Sequence, residues 1–306
     1  MSAIYSGEEG YISLLSDVLA LGVDIPDRTG VGTKALFDGK LLFEPGVEFP
    51  FSTVRPMPLR LAFHEFWFFL NGETQTKKLE EKGVNFWRGN TSKEFLESRE
   101  LGHLPEGDMG KAYGFQWRNF GGELYNYSDG SRILEGGVDQ LEEIFEALCN
   151  NPYSRRFYTT FWNPLQSSDM ALTPCWHSHQ FVVLPNRHTG KDVLHLKLIN
   201  RSLDTLFGAM FAVQQYALYQ TAMAQLLGME VGTLSCDLTH IHLYDNQLAY
   251  TEELLTRDLG TPGTVKINKE LNGLWDLLTL TWDDIEEVGL EVNRTPFVTP
   301  RPDMAV

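Results

Sequence analysis

The sequence predicts an α+β fold, a mixed β-sheet packed with helices, in a single catalytic domain spanning residues 1–306. Three observations predict it. Two segments, 59–72 and 210–228, are apolar over a helix length. Three strand-length patterns, 156–162, 179–184 and 193–199, follow one another without alternating with helices. No repeat, low-complexity tract or Pro/Ser linker divides the chain.

Taken in order, Ile12, Leu14, Leu15, Val18 and Leu19 mark one face of a helix that ends at Gly22. Residues 35–44, ALFDGKLLFE, read as a strand pair turning at Asp38-Gly39. LRLAFHEFWFFLNG (59–72) is apolar almost all round and stops at Asn71-Gly72, the signature of a buried helix. Glu65 in its middle is therefore conspicuous. The stretch 84–120, rich in Gly, Asn and Trp, reads as loop-dominated. VDQLEEIFEALC (138–149) is amphipathic, with Val138, Leu141, Ile144, Phe145 and Leu148 inward. RFYTTFW, HQFVVL and VLHLKLI are the strands, the last alternating Leu194, Leu196 and Leu198 on one face. MFAVQQYALYQTAMAQLLG (210–228) is a long buried helix with Gly228 as its C-cap.

Composition narrows the function classes. In 306 residues, 42% hydrophobic and 12% aromatic, there is enough apolar surface for a large core, which excludes global disorder. Lys plus Arg number 25 against 41 Asp plus Glu, a net charge of −16. That field argues against general binding to nucleic acid or an anionic membrane, and leaves room for a local basic pocket around a small phosphate. Three cysteines make no disulfide framework, and none lies in a C-x-x-C pair. The N-terminus lacks the basic start and cleavage site of a signal peptide, and no run of about 18 apolar residues occurs. The reading is a soluble, cytoplasmic protein with reduced thiols.

Cys175, in LTPCWHSHQF, is the candidate nucleophile. A lone cysteine is more often a small buried hydrophobe. Here Pro174 fixes the chain before it, and arginines recur as Arg155-Arg156 in SRR and Arg201 in NRS. A positive setting turns a thiol of ordinary pKa near 8.5 into a thiolate, and the arginine fork matches phosphate oxygens. Alternation would also set Cys175, His177 and His179 on one strand face, with His240 and His242 at a distance. These spacings match no zinc module, so no metal is expected.

The motifs DRTG (27–30), HEFWFFLNG (64–72), FW (86–87), YGFQWR (113–118), SRR (154–156), PCW with QF (174–181), RSLD (201–204), FG (207–208), YAL (216–218) and HIHLYDN (240–246) occur in an order that resembles the thymidylate synthase family. The resemblance covers residues 10–250. It implies that family's fold, with one sheet side at the interface of a homodimer. It implies 5,10-methylenetetrahydrofolate as one-carbon donor and a pyrimidine nucleoside monophosphate as acceptor. Carried over, Cys175 would add to carbon 6 of the base, making carbon 5 nucleophilic. Arg28, Arg201 and Ser202, with Arg155 and Arg156 from the partner subunit, would hold the phosphate. His242 and Tyr244 would bind the sugar hydroxyl. Glu65 would organise proton transfer near position 4, Tyr113 would help remove the carbon 5 proton, and Trp87, Asp204, Gly208 and Phe211 would line the folate site.

Three departures from the family pattern bear on the substrate. Ala212 stands where an Asn reads uracil, Trp176 follows the nucleophile where His is common, and STVR (52–55) puts Val54 at a basic position. An Asn set for uracil mismatches cytosine at about 1–3 kcal/mol per buried unpaired group. Its loss, with Trp176 or Gln215 positioned to compensate, points to deoxycytidylate. The product would then be 5-hydroxymethyl- or 5-methyl-deoxycytidylate, as in the phage-type branch, in a bacterial or phage-infected host. The alternative is deoxyuridylate, as in thymidylate synthase or a deoxyuridylate hydroxymethylase. A catalytically idle nucleotide-binding relative is the third reading.

Overall fold

Thr33–Phe43 is one unbroken strand, and the sheet is built on it. The computed structural model describes residues 3–126 and 132–305. Its strands are β1 Ala3–Ser6, β2 Val23–Ile25, β3 Thr33–Phe43, β4 Glu123–Asn126, β5 Arg132–Glu135, β6 Tyr158–Thr160, β7 Trp176–Pro185, β8 Asp192–Asn200, β9 Leu203–Asp204, β10 Glu230–Tyr244, β11 Thr264–Ile267 and β12 Ile285–Val288. Its α-helices are α1 Gly7–Leu21, α2 Leu59–Leu70, α3 Lys77–Glu80, α4 Lys93–Ser98, α5 Tyr113–Arg118, α6 Gln140–Asn150, α7 Ala209–Leu227, α8 Leu248–Leu255 and α9 Leu274–Leu278. The main sheet runs β1-β3-β10-β8-β7-β6, with β2 on β3 and β9 on β10. It is mixed. β1/β3, β10/β8 and β10/β9 are parallel, and the other pairs antiparallel.

The hairpin expected at Asp38-Gly39 does not form. Asp38 lies opposite Thr239 and Gly39 opposite Leu238, while Ala3 flanks Gly39 on the other side. With partners on both edges the chain stays extended. The glycine serves close approach instead, since a Cβ there would sit 3.0 Å from Ile241 Cδ1. Three other expectations shift. The strand at 156–162 contracts to β6, whose ladder with β7 has three pairs. Val138 is 41% exposed and precedes α6, which starts after Asp139 caps Glu142 N at 3.1 Å. The 84–120 stretch contains α4 and α5.

The long elements follow their patterns. Tyr11, Leu14, Leu15 and Val18 of α1 are fully buried, whereas Ile12 and Leu19 are half-buried. α2 and α7 pack together in the aromatic core, where Phe66 meets Trp117 and Tyr216 edge-on at 5.2 and 5.0 Å. Gly228 ends α7 in the left-handed conformation at φ 67°. One sheet face is dry, with Leu41, Phe43, Phe181, Val183, Leu194, Leu196, Leu198, Leu234 and Cys236 inward. The other face carries Val182, Leu184 and a Lys40–Asp237–Lys197 ion cluster, all half-buried or exposed. Glu8, at the start of α1, reaches across to the 53–54 backbone. It accepts from Thr53 N at 2.6 Å, Val54 N at 3.1 Å and the Thr53 hydroxyl.

Candidate active site

Cys175 sits half-buried just before β7, on a segment stapled by the arginine that follows β8. Arg201 Nε donates to Pro174 O at 2.9 Å, and its Nη2 donates to Thr173 O at 2.8 Å and Thr173 Oγ1 at 2.9 Å. The same Nη2 lies 3.9 Å from Cys175 Sγ. Pairing of Trp176 with Asn200 in the β7–β8 ladder sets this approach. From the other side, Tyr113 of α5 accepts the Cys175 N–H through its hydroxyl at 2.9 Å. Burial pushes the thiol up. Arg201 opposes this and Asp204 adds to it, so the net direction is upward. The arginine-rich sequence suggested the reverse. Arg155 and Arg156, counted in that suggestion, are exposed, and burial of the thiol outweighs the pull of Arg201.

Glu65 is 7% exposed in the middle of α2, and both carboxyl oxygens are occupied. Trp87 Nε1 donates to Oε1 at 2.6 Å, and Gln215 Nε2 of α7 donates to Oε2. Burial raises the Glu65 pKa against the pull of these two donors. Trp87 and Tyr113 stand edge to face at 6.1 Å, and Phe69 stacks on Tyr113 at 5.0 Å. Burial also raises the Tyr113 phenol well above its usual range. Ala212, one turn before Gln215, is buried and presents no polar group. The Gln215 amide is held by Glu65, and Trp176 is buried 6.5 Å from the Tyr216 ring.

The pairing of β9 with β10 brings Asp204 beside His242. Asp204 accepts from Phe207 N and Gln247 Nε2, each at 3.1 Å, while burial raises its pKa. Burial lowers His242, with Asp204 pulling the other way. The Tyr244 phenol is pushed up to about 12, first by burial and then by Asp204 and Asp27; Arg28 opposes and Cys175 adds a smaller upward push. Those neighbours put Arg28, Asp204, Tyr244 and Cys175 in one site. Ser202 is half-buried next to Arg201.

A cavity of about 410 Å³ opens beside this cluster, walled by Glu65, Trp87, Asp204, Gly208 and Phe211. Among its other walls are Arg55, Phe86, Asn90, Phe297, Arg301 and Met304, which the sequence reading did not assign to the site. The STVR motif held a signal, because Val54 is fully buried in the core while its neighbour Arg55 lines the cavity. The last three lie beyond the motifs and carried none.

The histidine alternation breaks. The ladder is irregular between Trp176 and Ser178, and His179 is fully buried among Trp117, Phe161, Phe181, Tyr216 and Tyr219 at 5.5–5.9 Å. Burial alone drives its pKa to about 3. His177 is half-buried beside Trp162. Among the described residues, no three His, Cys, Asp or Glu side chains are grouped to hold a metal.

Comparison with known proteins accounts for this arrangement. The family model for thymidylate synthase matches residues 9–295. The thymidylate synthase of Candida albicans is 35% identical over 301 residues, covering 94% of this chain and 95% of that protein. That of Agaricus bisporus is 39% identical over 259 residues, covering 82% and 85%. The bifunctional dihydrofolate reductase-thymidylate synthase of Paramecium tetraurelia is 35% identical over 287 residues, covering 94% of this chain and 59% of that longer protein. These relatives are eukaryotic thymidylate synthases. The phage-type branch and the bacterial or phage host expected from Ala212 find no support among them. No helix among the described residues is long and apolar enough to cross a membrane. The family comprises folate-dependent methyltransferases that draw one carbon from 5,10-methylenetetrahydrofolate and act on a pyrimidine nucleoside monophosphate. With the family model matching residues 9–295 and a relative 35% identical over nearly the whole of both chains, the chain belongs to the thymidylate synthase family.

Proposed function

We propose that the protein, with residues 1–306 acting as one catalytic domain, transfers a one-carbon unit to carbon 5 of deoxyuridylate. The observation that carries the reading is the convergence of Cys175, Arg201, Tyr113, Glu65 and Asp204 on one cleft beside the 410 Å³ cavity. Relatives named thymidylate synthase over most of the chain favour uracil as the base. The cavity suits a folate. Its walls are rich in aromatic side chains, and two buried polar atoms on them, Arg55 Nε and Asn90 Oδ1, have no partner among the described residues. Trp87, Phe211, Gly208 and Asp204 would hold the folate. When bound, it supplies the one-carbon unit.

The chain's own groups do the rest. The Cys175 thiolate adds to carbon 6, and the electron pair displaced from the 5,6 double bond makes carbon 5 the nucleophile. Arg201, Arg28 and Ser202 hold the phosphate, joined by Arg155 and Arg156 of the partner subunit in a homodimer. The exposed Val182 and Leu184 face of the sheet suits that interface. Each added cation also favours the thiolate against burial. Glu65, whose pKa burial raises against the pull of Trp87 and Gln215, is placed to exchange a proton near position 4 of the base. Tyr113, anchored by Cys175 N–H, keeps its own proton and orients the acceptor of the carbon 5 proton.

Ala212 favours a second reading, deoxycytidylate, because a methyl side chain cannot select the uracil edge. One competition experiment decides. The protein is given methylenetetrahydrofolate and equal deoxyuridylate and deoxycytidylate, and products are identified by mass. Faster consumption of deoxyuridylate supports the first reading. Faster consumption of deoxycytidylate replaces it with the second, and consumption of neither overturns both.

A further inference from the structure

β10 exchanges the parity of its buried side chains at one residue. Leu234, Cys236 and Leu238, all even, are fully buried; past His240 the fully buried apolar residues are Ile241 and Leu243, both odd. A strand of period two cannot do this without a local irregularity. The irregularity is His240, with φ 51°, one of two non-glycine residues in the left-handed region among those described. The register with β3 is unchanged, with Thr239 opposite Asp38 and Ile241 opposite Leu36. Conformation makes the switch, without an inserted residue. Backbone outliers of this kind gather at functional sites.

The switch acts on His242. That ring would otherwise follow Leu238 into the core; instead it stands beside Asp204 and edge-on to Tyr244 at 5.2 Å. Its Nδ1 lies 2.9 Å from the His240 carbonyl oxygen and 3.3 Å from His240 Nδ1. A carbonyl only accepts, so His242 Nδ1 carries the hydrogen. In the neutral ring Nε2 is then a bare acceptor.

We propose that His240 is a positioning residue for nucleotide recognition. Its left-handed backbone aims His242, and its carbonyl fixes the tautomer that leaves Nε2 to accept from a sugar hydroxyl. The inference rests on the reading of His242 as part of the sugar site. It assigns the role to the backbone of His240, not to its exposed side chain.

The test compares binding of deoxyuridylate and 2′,3′-dideoxyuridylate by calorimetry in the wild type, His240→Gly and His240→Val. The wild type should bind the hydroxylated nucleotide about tenfold more tightly, the value of one net hydrogen bond. Glycine adopts positive φ freely and should keep that ratio. Valine avoids it and should bring the ratio near one. A wild-type ratio in the valine variant overturns the proposal, as does loss of the ratio in the glycine variant or a ratio of one in the wild type. Absence of binding by both deoxyuridylate and deoxycytidylate overturns the functional reading itself, a distinct failure. If the valine variant does not fold, nitrogen-15 NMR of wild-type His242 decides: a protonated Nδ1 supports the proposal, and a protonated Nε2 refutes it.

Discussion

Replacing Arg201 by Gln removes the cation set against the thiol proposed as nucleophile while keeping a side chain of similar reach. The Nη2–Sγ separation is 3.9 Å. At an effective dielectric constant of about 20, two unit charges at that distance interact by roughly 4 kcal/mol. Arg201 is half-buried, so solvent screens part of this, and only a fraction should be seen. A third of it, about 1.4 kcal/mol, is already tenfold in the thiolate population. Only the thiolate is alkylated, and Arg201 favours the thiolate. Its loss should therefore shift the pH profile of iodoacetamide alkylation to the alkaline side and slow the reaction about tenfold near neutral pH. The measurement belongs in a Cys149→Ser background, because Cys149 is exposed whereas Cys236 is fully buried. Arg201→Lys is the control. It loses the fork on Thr173 and Pro174 but keeps the charge, so it should retain more of the rate than Gln. An unchanged profile in Arg201→Gln would refute electrostatic support of the thiol by this residue.

Glu65→Gln should lower turnover by about 10²–10⁴, the usual range for a lost general acid. Its folded pKa is raised, so its stabilising contribution is present below the unfolded value and lost as pH rises through the folded one. The Gln variant should accordingly unfold later than wild type in urea at alkaline pH and lose that advantage in acid; the opposite order would discredit the buried-acid assignment. Tyr113→Phe leaves the Cys175 N–H without its acceptor and should destabilise by about 1–3 kcal/mol at unchanged denaturant slope, with reduced turnover. Ala212→Asn should move the ratio of specificity constants toward deoxyuridylate by about tenfold, read in the same competition assay. Mixing inactive Cys175→Ser and Arg156→Ala subunits should restore part of the activity, and no recovery after confirmed subunit exchange would exclude shared sites.

The parts legible in the sequence were those where one pattern dominates locally. Helix 210–228 announced itself through uninterrupted apolar residues and Gly228, and Leu194, Leu196 and Leu198 through alternation. Asp38-Gly39 misled because turn propensity is local, whereas β10 pairs both residues and β1 flanks Gly39 on the other edge. Cys175, Glu65, Trp87, Tyr113 and Asp204 were found through motifs, and the fold brings them together. The electrostatics were not legible. Counting arginines near Cys175 in sequence says nothing of which reach it; the fold brings Arg201 Nη2 to 3.9 Å from its sulfur and leaves Arg155 and Arg156 exposed. Gln215 was read as a possible partner of the base, yet its amide is held by Glu65. Arg301 and Met304 were invisible because a cavity wall needs no motif.

Glu8 belongs to no motif and touches no proposed ligand, yet it clasps the backbone of Thr53 and Val54 immediately before Arg55. Arg55 in turn bonds the Leu206 carbonyl and walls the cavity proposed for folate. The opening turn of the first helix is thereby a hinge pin for a surface assembled some fifty and two hundred residues later. In a mutational library scored by turnover, Glu8 would sort with the active site, its defect combining lost stability with a disturbed cavity wall.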